Sequence, residues 1–191
     1  MGKQGSFLKR ATDIILSLIL LIISSPLLLL FSILIKLESP GPVFFIHERT
    51  GYLGKPFRMI KFRGMIDNAL EFGPVLTQEN DPRITKVGKI MRRTSIDEIP
   101  QVFNILKGEM SIVGPRPEMV AITENYNEKQ REIFKIKPGL TGISQVSGRQ
   151  KLTPEQRVQM EMEYYRQETF LKDLKIFFKT FAVIVSNEGN I

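Results

Sequence analysis

The chain has 191 residues, with 27 Lys and Arg against 20 Asp and Glu, and 42% of it is hydrophobic. That suffices for one domain with a core and is too short for two ordinary ones, while 25% charged residues excludes a disordered chain and a polytopic membrane protein. No Cys and one His exclude disulfides, thiolate nucleophiles and multi-His metal centres, and the net charge of +7 favours a polyanionic partner such as nucleic acid, anionic lipid or a phosphorylated substrate.

From Ile14 to Ile35 the chain carries no charge. As one helix this run is about 33 Å long, enough to cross a bilayer core of about 30 Å. A single-pass anchor is one reading. Ser24-Ser25-Pro26 at its centre supports another, because Pro26 removes a helical N–H and clashes with the preceding turn. Lys3, Lys9 and Arg10 precede the run, and Lys36, Arg49, Lys55, Arg58, Lys61 and Arg63 follow it. The positive-inside rule puts both flanks on the cytoplasmic side. A re-entrant helix–break–helix, entering and leaving one leaflet, satisfies both features, with Ser24 and Ser25 serving the freed carbonyls.

Ser39-Pro40-Gly41-Pro42 ends the membrane segment. Val43–Ile46 and Phe57–Phe62 read as two short strands around the turn Gly51–Pro56, a small hairpin. Helices are expected at Met65–Phe72, Ile84–Arg93, Val102–Leu106 and Glu118–Glu132, with turns at Gly114–Pro117 and Pro138–Gly142. From Pro154 a helical pattern runs nearly to the end. There Phe170, Leu174, Phe177, Phe181 and Val185 form a stripe with Lys172, Lys175 and Lys179 off it. Such a face suits a helix lying in a membrane interface or one facing the core.

The chemistry concentrates in Arg92-Arg93-Thr94-Ser95-Ile96-Asp97-Glu98-Ile99-Pro100-Gln101. A capping box, with Ser95 as cap and Glu98 reaching back, is the purely structural reading. Pro100 opposes it, because it would fall beyond the first turn, where its missing N–H breaks a helical bond. The helix is therefore expected to begin at or after Asp97, leaving two carboxylates at its mouth, where free N–H groups keep anions charged and a phosphate can dock. Lys61 and Arg63 end a strand, Arg116 lies between two prolines, and Arg149 follows Gly148. Arg held in a rigid turn suits bidentate phosphate recognition. Gly51–Pro56 is no Walker loop, since Lys55 precedes Pro56. His47 reads as structural.

These residues resemble a family. Ser25-Pro26, Lys61-Phe62-Arg63-Gly64-Met65, Asp81-Pro82-Arg83-Ile84-Thr85, Ser95–Gln101, Asn104, Gly108, Met110-Ser111, Val113–Pro117, Pro138–Gly142 and Ser147-Gly148-Arg149 follow the pattern of small monotopic phosphoglycosyl transferases, bacterial sugar transferases. The likeness covers nearly the whole chain. Gly64 departs from it, standing where the family commonly has Ser or Thr.

The resemblance implies an enzyme that moves a sugar-1-phosphate from a UDP-sugar to polyprenyl (undecaprenyl) phosphate, releases UMP and starts glycoconjugate assembly. It implies Asp97 as nucleophile in a covalent phosphosugar intermediate, Glu98 completing the dyad, Mg²⁺ with Asp97 as ligand, and Lys61, Arg63, Arg92, Arg116 and Arg149 as substrate-binding cations. The expected fold is α+β and mostly helical. A re-entrant membrane hairpin spans 1–38, and a cytoplasmic catalytic domain spans 39–191 and ends in an interfacial helix, on the cytoplasmic face of the bacterial inner membrane. Membrane lipid is an expected partner and nucleic acid is not. Which sugar, which glycan and which oligomeric state are not legible. Two rival classes are a single-pass protein with an extracytoplasmic binding domain, and a basic nucleic-acid module. The latter accounts for the charge only and has no Trp for base stacking.

Overall fold

Helix α1, Phe7–Glu38, runs through Pro26 without leaving helical geometry, so the expected interruption does not divide the element. Its length and composition suffice to cross a membrane. Ile15, Ile19, Ile22, Ile23 and Leu29 point outward, while Asp13, Ser17, Ser24, Phe31 and Ile35 form a buried line. The computed structural model describes residues 7–74, 81–147, 152–167 and 169–186.

The expected hairpin is present. Strands β1 (Phe44–Thr50) and β2 (Pro56–Phe62) pair antiparallel, with Phe45 opposite Lys61, His47 opposite Met59 and Arg49 opposite Phe57. Directly paired residues share a face, so the hairpin sets Lys61, His47 and Arg49 side by side. Phe57 and Met59 on that face enter a core with Ile105, Met110, Ile112, Val146, Ile176 and Val183. Phe62, on the other face, joins Met91 and the α1 residues Phe31 and Ile35 in a second core. Each such side chain contributes about 1.5–3 kcal/mol on burial.

Two expected helices fail. Met65 instead bridges to Ile84, and Asn68 takes a left-handed φ of 55°, leaving only a single 3-10 turn at Ala69–Glu71. The expected Glu118–Glu132 helix splits into α4 (Val120–Thr123) and α5 (Glu128–Arg131), because Asn127 caps α5 with a reciprocal box to Gln130. Helix α2 (Lys86–Thr94) starts with the Thr85 side chain accepting from the Gly88 amide. A 3-10 helix (Ile96–Gln101) follows, then α3 (Val102–Lys107), closed by Gly108 at φ 87°.

The pattern missed a parallel pair. Strand β3 (Ser111–Val113) runs beside β4 (Gly139–Thr141). Their approach is so close that a Cβ on Gly139 would lie 2.0 Å from the Gly114 amide nitrogen. The two glycine–proline turns are thus one structural unit, and it carries Arg116. Helices α6 (Ile143–Val146), α7 (Pro154–Arg166) and α8 (Phe170–Ser186) complete the fold. On α8, Ile176 and Val183 are buried, whereas Phe170, Phe178 and Phe181 are exposed. Of the aromatic stripe, Phe170 and Phe181 therefore face outward, whereas Phe177 packs against the core.

Helix α2 lies directly on the chain after β2. A Cβ on Gly88 would meet the Gly64 carbonyl oxygen at 2.0 Å, while one on Gly64 finds nothing nearer than 3.5 Å. Gly88→Ala should therefore cost at least about 2 kcal/mol, and Gly64→Ser, despite departing from glycine, should be tolerated within about 0.5 kcal/mol. Thermal melts of the two variants check this difference.

Candidate active site

Ser95 turns the chain sharply after α2, at a left-handed φ of 57°, with no side-chain cap. The capping-box reading therefore does not hold. Pro100 has no N–H and crowds an α-helical turn, and the segment is a 3-10 helix that starts at Ile96, one residue before the expected Asp97. This places Asp97 and Glu98 in its first turn, packed across β2 and Lys61.

The two carboxylates have different surroundings. Lys61 Nζ donates to Glu98 Oε1 at 2.8 Å, and Arg116 Nη2 donates to the same oxygen at 3.1 Å. Burial pushes the Glu98 carboxyl up, but Lys61 and Arg116 outweigh it and hold it below the ordinary carboxylate range. Asp97 is partly buried and, among the described residues, accepts no hydrogen bond. Burial raises its carboxyl to about 6; the Glu98 charge adds to the rise, and Lys61, Arg92 and Arg116 oppose it. One acid is fixed as an anion between two cations, and its neighbour is open.

Other elements hold this arrangement. Asn104 of α3 is fully buried; its Nδ2 donates to the Arg58 carbonyl at 2.8 Å, and its Oδ1 accepts from the Ile60 amide at 3.0 Å. This fixes β2, and with it Lys61, against the dyad segment. Arg92 lies in the last turn of α2, within electrostatic reach of Asp97.

Arg63 is employed elsewhere. Its guanidinium is buried and donates to the Ser39 and Pro40 carbonyls and to the Ser39 hydroxyl, tying down the turn after α1. Arg83, another basic residue of the motifs, forms a buried bidentate pair with Asp81 at 2.9 and 2.6 Å and donates to the Ala69 carbonyl. That motif is a structural knot. Arg149 lies outside the described residues.

Two neighbours escaped the sequence reading. Arg49 Nε donates to His47 Nδ1 at 3.1 Å, and its Nη1 donates to the Pro117 carbonyl beside Arg116. Burial, then repulsion from Arg116, lowers Arg49 to about 10. Burial and the cations Arg49, Lys61 and Arg116 hold His47 down to about 3, so it is a neutral imidazole stacked on Phe45. The hairpin register was the available signal, since His47 and Arg49 alternate on the face that carries Lys61.

Among the described residues no three His, Asp or Glu side chains converge on one point. A cation here would rest on one or two carboxylates and on substrate oxygens, as Mg²⁺ does with phosphate substrates. Asp97 fits that role, because among the described residues its carboxylate accepts no hydrogen bond and a nearby cation would relieve its ionisation cost. Among the described residues the site thus groups four cations around two carboxylates, one of which accepts no hydrogen bond; such an arrangement can take up an anionic group.

The profile of the bacterial sugar transferase family matches residues 4–187. The chain is 45% identical, over 91% of its length, to the UDP-glucose:undecaprenyl-phosphate glucose-1-phosphate transferase of Escherichia coli K12, covering 39% of that protein. It is 40% identical, over 99% of its length, to the undecaprenyl-phosphate galactose phosphotransferase of Salmonella typhimurium, covering 43% of it. It is also 36% identical, over 97% of its length, to the exopolysaccharide production protein ExoY of Sinorhizobium fredii, covering 89% of that relative. The chain thus spans about two fifths of the first two of these relatives and most of the third.

The open acid has a stability consequence. The folded state raises Asp97 from its ordinary 3.8 to about 6, so ionising it opposes folding. That cost is fully present above about pH 6 and vanishes as pH falls below the unfolded value. Asp97→Asn should therefore stabilise the metal-free protein by up to about 3 kcal/mol at pH 8, with little of that gain left at pH 3. Paired denaturation curves at the two pH values measure it.

Proposed function

The chain belongs to the bacterial sugar transferase family, and on that footing we propose that it transfers a sugar-1-phosphate from a UDP-sugar to polyprenyl (undecaprenyl) phosphate, with Asp97 as nucleophile. The names of the Escherichia coli and Salmonella relatives supply the undecaprenyl phosphate acceptor, and the first also a UDP-sugar donor. The observation that carries the reading is the split pair. Glu98 is held ionised between Lys61 and Arg116, while the Asp97 carboxylate accepts no hydrogen bond among the described residues.

In the first step an Asp97 oxygen attacks the phosphorus that bears the sugar. The new O–P bond forms as the bond to the bridging oxygen breaks, and UMP departs with that electron pair. In the second, a polyprenyl phosphate oxygen attacks the same phosphorus and the Asp97 carboxylate leaves, restored. A carboxylate nucleophile divides the transfer between a soluble substrate and a lipid one. Lys61, Arg92 and Arg116, joined by Arg49, lower the repulsion between the anionic nucleophile and the anionic diphosphate. Arg149 is retained as a further substrate-binding cation, and Arg63 serves indirectly by holding the α1–β1 turn. Bound Mg²⁺, held by Asp97, would supply further charge neutralisation on the substrate phosphates.

A lipid acceptor requires the site to lie at a bilayer surface. The exposed apolar side chains of α1 and the outward Phe170, Phe178 and Phe181 of α8 suit insertion and interfacial contact. Both ends of α1 return to the same domain. Near one end, Asp13 accepts from the Ser111 hydroxyl and the Ile112 amide, and Lys9 pairs with Asp173 of α8. Near the other, Ile35 is buried with Phe62 and Met91. A helix crossing the bilayer would carry its ends to opposite sides, where one domain cannot hold both. This supports a re-entrant α1 with residues 39–191 on the cytoplasmic face of the inner membrane.

Two experiments test the reading. Mixing the protein with a panel of UDP-sugars and Mg²⁺, without lipid acceptor, should release about one equivalent of UMP and add one sugar phosphate to the intact mass. Asp97→Asn should abolish both. No adduct under rapid quench, with kinetics that require both substrates together, would favour direct attack by the lipid phosphate. Arg116→Lys, which keeps the charge and loses the planar fork, should slow UMP release about ten-fold or more. For topology, the cysteine-free sequence allows single-cysteine variants Leu8→Cys and Lys55→Cys. An impermeant thiol reagent should label both from the cytoplasmic side of the membrane, and labelling from opposite sides would contradict the re-entrant fold.

A further inference from the structure

The proposed reactive pair sits in an unbroken run of three short helices. Helix α2, Ser95, the Ile96–Gln101 3-10 helix and α3 follow one another without a loop. The two outer ends of this run are both held by α1. At the front, Glu38 Oε1 accepts from the Lys86 amide at 2.7 Å and Oε2 accepts from the Val87 amide at 2.9 Å. At the back, Arg10 Nη1 donates to the Ile105 carbonyl at 2.6 Å and Nη2 donates to the Leu106 carbonyl at 2.8 Å.

Each grip uses two charge-assisted hydrogen bonds. Each also matches its helix end, with an anion at the N-terminus of α2 and a cation at the C-terminus of α3. Internal contacts leave the two helices points on which to tilt. Helix α2 touches the chain at the Gly88–Gly64 approach, and α3 is fixed to β2 through Asn104. The outer grips complete the constraint. The stretch of helix between them is about 42 Å long along its axis, and Pro26 stands within it.

We infer that Arg10 and Glu38 are positioning residues for the Asp97–Glu98 pair, α1 acting as a brace whose two ends fix the tilt of α2 and α3 and so the place of the pair between them. The functional part of this inference rests on the reading of Asp97 and Glu98 as the reactive pair; the mechanical part does not. Neither residue touches the pair, and their effect passes through the helices. Because the apolar middle of α1 lies between the grips, its shape in the lipid sets the separation of its ends, and the site is coupled to the bilayer.

The test uses the full chain in lipid nanodiscs, with Glu38→Gln, Arg10→Gln and the double variant. Amide hydrogen exchange is followed at 86–108 and in β1 and β2, and UMP release is followed with UDP-sugar and Mg²⁺. Either single variant should raise exchange at 96–101 about ten-fold while β1 and β2 keep wild-type protection. It should lower kcat about ten-fold with KM for the UDP-sugar within about two-fold. The double variant should be little worse than the poorer single one, since losing either grip frees the brace. Arg10→Lys, which keeps the charge and one donor direction, should recover part of both effects and guards against a misfolded Gln variant. Exchange rising only at 86–88 for Glu38→Gln and only at 105–108 for Arg10→Gln would make them local caps and overturn the brace. If wild-type protein releases no UMP from any UDP-sugar tested, the functional reading fails while the exchange data still decide the brace.

Discussion

Lys61 and Arg116 donate to the same oxygen of Glu98, at 2.8 and 3.1 Å. The rest of the site depends on that shared oxygen. Two cations reach it from distant parts of the chain, one from the end of β2 and one from the proline-bounded turn after β3. An anion between two cations stays ionised despite its burial; the neighbouring Asp97 is raised chiefly by its own burial, and the Glu98 charge adds to the rise. The same two cations that fix Glu98 also face Asp97, along with Arg92. The site thus keeps one carboxylate for organisation and leaves the other for chemistry. This is how adjacent, chemically similar groups acquire separate roles.

The surrounding fold serves this placement. Asn104 fixes β2 at the height of Lys61, and the Gly114–Gly139 approach sets the turn that carries Arg116. Gly88 lets α2 lie on the backbone at Gly64, which brings Arg92 in. Helix α1 then spans the assembly from outside, with polar side chains at its ends and bare apolar ones between. Its ends are bound by charge-assisted hydrogen bonds and by a core of Phe31, Ile35, Phe62 and Met91. A helix with bare apolar faces and the segment that bears the two acids therefore share their supports, which suits the proposed reaction between a water-soluble donor and a lipid acceptor.

The sequence made some of this legible for identifiable reasons. The hairpin could be read because two β-type runs flank a glycine–proline turn, and the dyad segment because Pro100 argues against an ordinary capped helix. The parallel β3–β4 pair was not legible: each strand has three residues, and Gly and Pro dominate their flanks. The missing Met65–Phe72 helix has a tertiary cause, since Met65 finds a strand partner in Ile84. Arg63 looks like a phosphate ligand in one dimension, but its acceptors are the Ser39 and Pro40 carbonyls and the Ser39 hydroxyl, brought near only by folding. Arg49 was passed over because the expected strand stops at Ile46, and only the pairing that continues to Thr50 sets Arg49 on the face of Lys61. The division of labour between Asp97 and Glu98 depends on which of them the two cations touch, and adjacency in sequence says nothing of that.

A site-resolved titration distinguishes the two acids. The measurement is carbon NMR of the carboxyl groups in metal-free protein, assigned by comparison with Asp97→Asn and Glu98→Gln. The account predicts that Asp97 titrates near 6 while Glu98 stays ionised well below the ordinary carboxylate range. Two carboxyls titrating together near their ordinary values, or Glu98 as the raised one, would contradict it.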